Sequence, residues 1–118
     1  MTRLTEIIAA RTQERRHRAE RCATRILDRL GALDLDAAVT GSLVTGRFGL
    51  HSDIDILVRS PVDPAGRAAV ERTVAGILRG SGIPYDLVFA CDLTPAQREA
   101  FEHDLVIASG LREARAEA

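Results

Sequence analysis

The sequence predicts a single mixed α/β domain over residues 1–118, with a small sheet flanked by helices and a long N-terminal helix. A chain of 118 residues suits one domain with a modest core. Hydrophobic residues make up 46% of the chain and aromatic residues 3%, so the core must be built from aliphatic side chains. Helix-like and strand-like apolar patterns alternate in the order α-β-α-β-α-β-α, which implies helices packed over a short sheet.

Apolar spacing predicts a helical segment over residues 1–31, ending near Gly31. Two apolar sets, each spaced for one helix face, are separated by the polar residues 12–18. Either one long helix crosses solvent at this stretch or two helices meet there. We interpret the arginine-rich stretch 11–29 as a solvated helix face, with a docking surface for an acidic partner as the alternative.

Three short apolar segments predict the strands, and two further helices alternate with them. The strand candidates are residues 37–40, 53–58 and 85–90, and the helix candidates are residues 65–79 and 94–109. Thr94 and Pro95 suit the N-cap and first turn of the last helix. Between the first two strands, residues 42–49 are expected to form a short helix or a loop.

Carboxylates lie on two of the predicted strands and suggest a metal site. Residues two apart in a strand point to the same face, so Asp53 and Asp55 project together. Two close carboxylates repel each other and favour a cation, and Mg²⁺ prefers such oxygen ligands together with substrate phosphates. Asp86 on the third strand would add a ligand or accept a proton. Two ions held there could support in-line phosphoryl chemistry.

A Gly-Ser pair precedes these carboxylates. Gly41 lets the backbone approach a phosphate closely, and Ser42 offers both a hydroxyl and an N–H group. Taken alone, a Gly-Ser pair is usually a turn, and an Asp-x-Asp pair is usually a solvated strand edge. Their joint order, each on its expected element, favours a functional site.

With Gly41 and Ser42, ten residues from Leu43 to Ser52, and then Asp53 and Asp55, the chain resembles a minimal nucleotidyltransferase of the DNA polymerase β superfamily. The resemblance covers residues 37–90, which it marks as the catalytic core. It implies that Asp53, Asp55 and Asp86 are the catalytic and metal-binding residues, with two Mg²⁺ ions, and that the Gly-Ser pair holds the triphosphate of ATP.

One position departs from the pattern of that superfamily. Members often carry Arg just before the second glycine of the motif, where this chain has Thr45 followed by Gly46. The next residue is Arg47, which becomes the candidate for the missing nucleotide contact.

The small size of the chain narrows the resemblance to stand-alone bacterial forms that are often paired with a helical HEPN protein. In such toxin–antitoxin pairs, the nucleotidyltransferase is the antitoxin, and it transfers AMP from ATP to a tyrosine of the HEPN ribonuclease. The resemblance therefore implies a HEPN-type partner. The alternatives are a catalytically silent nucleotide-binding module that masks a partner by contact, and nucleotidyl transfer to a small molecule such as an antibiotic.

Composition argues against several other classes. The net charge of −1 gives no general case for nucleic-acid binding, and no aromatic residues interleave with the arginines, so direct nucleic-acid binding is not expected. The two cysteines, Cys22 and Cys91, form no CxxC motif. With no signal peptide or membrane-length apolar run in the sequence, we expect a cytoplasmic protein without a membrane partner.

Overall fold

The computed structural model describes residues 2–102, and its elements confirm the mixed α/β class. Three strands alternate with helices in the predicted order. The elements are α1 (Arg3–Ala32), β1 (Ala37–Thr40), α2 (Ser42–Thr45), β2 (Ile54–Val58), α3 (Pro64–Leu78), β3 (Tyr85–Phe89) and a 3₁₀ turn (Ala90–Asp92). Residues 95–102 are helical, and the remainder of the helix predicted over 94–109 lies outside the described residues.

The N-terminal segment forms one helix rather than two. Thr2 caps α1, since its hydroxyl accepts a hydrogen bond from the Thr5 N–H at 3.2 Å. The polar stretch 12–18 does not interrupt the helix, because two of its arginines reach across to loops of the domain, Arg15 to Gly49 and Arg18 to Ser81. Polar residues at this point therefore bind the helix to the domain.

Only the second apolar set of α1 enters the core. Ala19, Cys22, Ala23, Ile26 and Leu30 are buried on the helix face that meets the sheet and α3. The first set remains at the surface, with Leu4, Ile7 and Ile8 exposed by 67%, 41% and 45%. Their helical spacing was correctly predicted, but within the described residues they contribute no buried contact.

The sheet has the order β1-β2-β3, with β1 antiparallel and β3 parallel to β2. Its central strand is therefore β2. One face of β2 presents Ile54, Ile56 and Val58, all fully buried in the main core. A parallel β3 requires a crossover, which α3 supplies.

The opposite face of the sheet carries both the second core cluster and the predicted site. Leu57 and Ala90 are buried there against Val88, Leu93 and Phe101. Phe101 lies in the helical residues 95–102. This helix therefore covers the sheet at Leu57, two residues after Asp55 in β2. Among residues 2–102, Asp55 belongs to neither core cluster and is half-buried.

Among residues 2–102, no helix combines the length and apolarity needed to cross a bilayer.

Candidate active site

The pairing of β2 with β3 brings two of the predicted carboxylates side by side. Asp55 and Asp86 are register partners in the parallel ladder, and partners in a ladder project from the same face. Asp53 directly precedes β2, two residues before Asp55. The start of the strand is fixed by the Ile54 N–H, which donates to the Pro84 carbonyl at 3.0 Å. The fold therefore gathers the three carboxylates at one end of the central strand.

The electrostatics of Asp55 reflect this gathering. Its side chain is half-buried, and burial is the main reason that the pKa of this carboxyl is raised. The negative charges of Asp86 and then Asp53 raise the pKa further. Among residues 2–102, no hydrogen bond or ion pair from a cationic side chain reaches any of the three carboxylates. The cluster thus holds negative charge for which this part of the chain supplies no counter-charge.

Gly41 lies against the Asp55 carboxylate, and only glycine fits there. Its backbone has φ 76° and ψ −150°, a region that residues with a Cβ essentially do not occupy. A Cβ on Gly41 would collide with Oδ2 of Asp55 and lie 3.3 Å from its Cγ. The strand register explains this closeness, because Thr40, the residue before Gly41, pairs with Asp55 across the antiparallel ladder.

We predict that Gly41→Ala lowers both stability and function. The backbone strain should cost about 1–3 kcal/mol of unfolding free energy, and displacement of the Asp55 carboxylate should weaken the metal-dependent ATP binding expected from the resemblance. Gly76→Ala is the matched control, because Gly76 is exposed in α3 with open space around it, and Ala there should be neutral or stabilising. Denaturant unfolding and ATP titration compare the two. Equal behaviour of the two variants would show that the close approach at Gly41 has no consequence.

The other two predicted nucleotide contacts have different surroundings. Ser42 is half-buried and begins α2, directly after Gly41. Its carbonyl accepts from the Arg47 N–H at 2.9 Å, which closes α2 together with Gly46 in the left-handed conformation. The Arg47 side chain is exposed, and within the described chain it forms no hydrogen bond or ion pair with the carboxylates. The structure places Ser42 beside Gly41 and does not bring Arg47 to the carboxylates.

Within the part of the chain that the structure describes, the carboxylate cluster lies at the surface. Asp86 is exposed, and Asp53 and Asp55 are half-buried. A groove of about 230 Å³ between α1, β1 and α2 is lined by Leu43 and Val44 and by none of the carboxylates.

The carboxylate oxygens of the cluster suit a hard divalent cation, but the cluster does not form a complete coordination site. Carboxylate oxygens without a counter-charge are the ligands that Mg²⁺ prefers. Within residues 2–102, however, no three His, Cys, Asp or Glu side chains are arranged to hold one ion together. Mg²⁺ commonly binds through one or two carboxylates plus substrate phosphates and water. The pair Asp53 and Asp55, or Asp55 and Asp86, is sufficient for that mode.

Comparison with known protein families shows which family the chain belongs to. The family model described as the nucleotidyltransferase domain matches residues 20–114. The chain belongs to this nucleotidyltransferase family. The match includes all three strands and the carboxylates, and it extends beyond the resemblance over 37–90 in both directions. No curated protein and no solved structure gives a significant match to the chain.

In this nucleotidyltransferase, sequence reasoning missed one residue that contacts the loop before Asp53. Arg15 belongs to the stretch interpreted as a solvated face, yet it is half-buried against the loop that leads to Asp53. The ring of Phe48 lies 5.0 Å from its guanidinium carbon. The wholly polar run 12–18 could have indicated this contact. Because it covers more than one helical turn, some of its side chains must face the domain and need hydrogen-bond partners there.

Proposed function

We propose that this nucleotidyltransferase is Mg²⁺-dependent and transfers AMP from ATP to a partner protein. The observation that carries the proposal is the unneutralised carboxylate cluster beside Gly41. Asp55 and Asp86 are register partners on adjacent strands, Asp53 directly precedes β2, and the pKa of Asp55 is raised. Residues 2–102 supply no cation that pairs with these carboxylates. Such an arrangement is unfavourable unless a bound cation offsets the negative charge.

Each site residue has a distinct part in this reaction. Asp53 and Asp55 would hold the divalent ions, and Gly41 would let the triphosphate approach the backbone beside them. Ser42 would donate its hydroxyl to a phosphate oxygen. The exposed carboxylate of Asp86 is free to accept a proton from the attacking hydroxyl. When bound, Mg²⁺ supplies electrostatic stabilisation of the attacking and leaving oxygens.

The bonds that change are those of the α-phosphate. The acceptor oxygen forms a bond to the α-phosphorus of ATP, and the bond from that phosphorus to the bridging oxygen breaks. Pyrophosphate leaves, and the acceptor carries AMP through a phosphodiester.

A protein acceptor is supported by two features of the surface. Within residues 2–102 the carboxylates lie at the surface, where a second protein can reach them. In addition, the first two turns of α1 expose Leu4, Ile7 and Ile8, and apolar groups clustered at a surface are typical of contact sites. We propose a small helical HEPN-type toxin as the partner, which makes this chain the antitoxin; that assignment rests on the family resemblance.

Intact-mass spectrometry of the partner tests the proposal. We expect a small helical protein to be encoded next to this chain, to form a complex with it, and to gain one nucleotidyl group when ATP and Mg²⁺ are added. The matched control is the same complex built with Asp86→Asn, which should bind the partner without the rapid mass gain. A partner that binds and gains no mass with any of the four ribonucleotides would contradict transfer.

That last result would favour a second function, masking of the partner by contact alone. One observation points towards it. The Arg47 side chain is exposed and, within residues 2–102, forms no hydrogen bond or ion pair with the carboxylates. A silent module would still protect cells from the partner after Asp53→Asn and Asp55→Asn, whereas an active transferase would not.

A further inference from the structure

Arg15 makes three contacts with the loop that connects α2 to β2. One of its terminal nitrogens donates to the Gly49 carbonyl at 2.7 Å and to the Ser52 carbonyl at 2.9 Å. Its guanidinium also lies over the ring of Phe48, 5.0 Å from the ring centre, and Phe48 is buried, with 3% of its surface exposed. Within residues 2–102 Arg15 pairs with no carboxylate, so its charge bears on these two carbonyls and the ring.

The carbonyl of Ser52 links Arg15 to the candidate metal site. A peptide unit is planar, so holding the Ser52 carbonyl also orients the N–H and Cα of Asp53. The residue after Asp53 is held from the other side, by the bond between the Ile54 N–H and the Pro84 carbonyl at 3.0 Å. Asp53 lies outside the strand ladder, so these two bonds fix the backbone on either side of it.

Gly49 and Ser52, the two residues that Arg15 contacts through their carbonyls, are also hydrogen-bonded to each other. The Ser52 hydroxyl accepts from the Gly49 N–H at 2.9 Å, and the Ser52 N–H donates to the Gly49 carbonyl at 3.3 Å. Arg15 therefore binds both ends of a closed turn. A charged donor forms stronger hydrogen bonds to carbonyls than a neutral one, and the planar guanidinium can stack while it donates.

We propose that Arg15 is a positioning residue for the candidate active site, which sets the orientation of Asp53 through the Gly49–Ser52 turn. The proposal rests on the proposed function of Asp53 as a metal ligand. Arg15 precedes the residues 20–114 that match the family model, so this contact comes from the part of α1 outside the matched region. It gives the first half of α1 a function in the site that is distinct from partner docking.

Two variants of Arg15 and one control test this. Arg15→Met keeps an apolar stem over Phe48 and removes the donors, whereas Arg15→Lys keeps the charge and loses the planar fork. Arg11→Met is the control, because Arg11 is exposed on the same helix. The probes are amide hydrogen exchange over residues 49–53 and titration of ATP in the presence of Mg²⁺.

We expect exchange over residues 49–53 to be about tenfold faster in Arg15→Met, with the strands unchanged. The affinity for Mg²⁺-ATP should fall about 10- to 100-fold, the usual effect of removing a group that orients a metal ligand, while affinity without the metal stays the same. Arg15→Lys should show an intermediate loss, and it carries the test if the Met variant does not fold.

Three results would overturn the proposal. They are unchanged exchange in the turn, an Mg²⁺-ATP affinity equal to that of Arg11→Met, or full rescue by Lys, which would show that charge alone is needed. Failure of the proposed function is distinguishable, because wild-type protein would then show no metal-dependent ATP binding. Exchange over residues 49–53 would in that case still decide whether Arg15 holds the turn.

Discussion

Replacing Asp53 and Asp55 together with Asn should abolish nucleotidyl transfer and leave the fold intact. The two amides keep the shape of the carboxylates but remove both negative charges that would hold the divalent ions. Transfer should fall below detection, and circular dichroism should remain that of the wild type. Asp28→Asn is the matched control, because Asp28 is an exposed acid on α1 outside the site.

The same variant should also be at least as stable as the wild type when no metal is present. The pKa of Asp55 is raised in the folded protein, mainly by burial, so the charged form destabilises the fold relative to the unfolded chain. That cost is fully present above the raised pKa and disappears as the pH falls through it. The stability advantage of the Asn variant should therefore be present at neutral pH and shrink in acid.

Thermal unfolding across this pH range, with a chelator present, measures the effect. Added Mg²⁺ and ATP should make the wild type more stable than the double variant, because they stabilise only a protein that binds them. A loss of circular dichroism signal in the double variant would instead mean that the carboxylate pair is needed for folding.

Asp86→Asn should separate nucleotide binding from chemistry. The amide keeps one oxygen ligand but cannot accept the proton of the attacking hydroxyl. The affinity for Mg²⁺-ATP should change little, because Gly41, Asp53 and Asp55 remain, while the transfer rate falls by about 10²-fold or more. Single-turnover kinetics with saturating ATP measures the two separately.

The exposure of Asp86 makes this variant a clean probe, since replacing an exposed side chain rarely disturbs the fold. Asp92→Asn offers a comparison, because Asp92 is an exposed acid beyond β3 that forms an ion pair with Arg67 and is not part of the site. Transfer at the wild-type rate in Asp86→Asn would remove Asp86 from the catalytic residues.

Much of the fold could be predicted from the sequence because its elements are locally encoded. The strand β2 alternates acids with Ile54 and Ile56, and both isoleucines are buried as that pattern requires. Asp63 and Thr94 each accept from an N–H three residues on, as expected at helix starts. Element bounds differ by a residue, as at Asp53, which precedes the strand predicted to contain it.

The sequence also allowed us to predict that the carboxylates lie on different strands, but it could not show that Asp55 and Asp86 lie side by side. Their proximity depends on β2 pairing in parallel with β3, and in the register that matches Asp55 with Asp86. Neither strand encodes that register alone. The close approach of Gly41 to Asp55 likewise follows from the antiparallel pairing of Thr40 with Asp55.

Two features of α1 could not be predicted from the sequence. Helical spacing predicts an apolar face but not where the domain ends, so it could not show that Leu4, Ile7 and Ile8 lie past the core. The polar run 12–18 reads as solvated, yet Arg15 crosses to Gly49 and Ser52, residues 34 and 37 positions further along the chain. Such a contact depends on tertiary packing alone.

The central claim is that the carboxylate cluster binds nucleotide through a divalent metal. Titration calorimetry of wild-type protein with ATP, first with Mg²⁺ and then with an excess of chelator, tests it most directly. We predict binding with Mg²⁺ and a loss of affinity of tenfold or more, about 1.4 kcal/mol, in the chelator. Equal affinity in the two conditions, or no binding in either, would contradict the metal site at Asp53, Asp55 and Asp86.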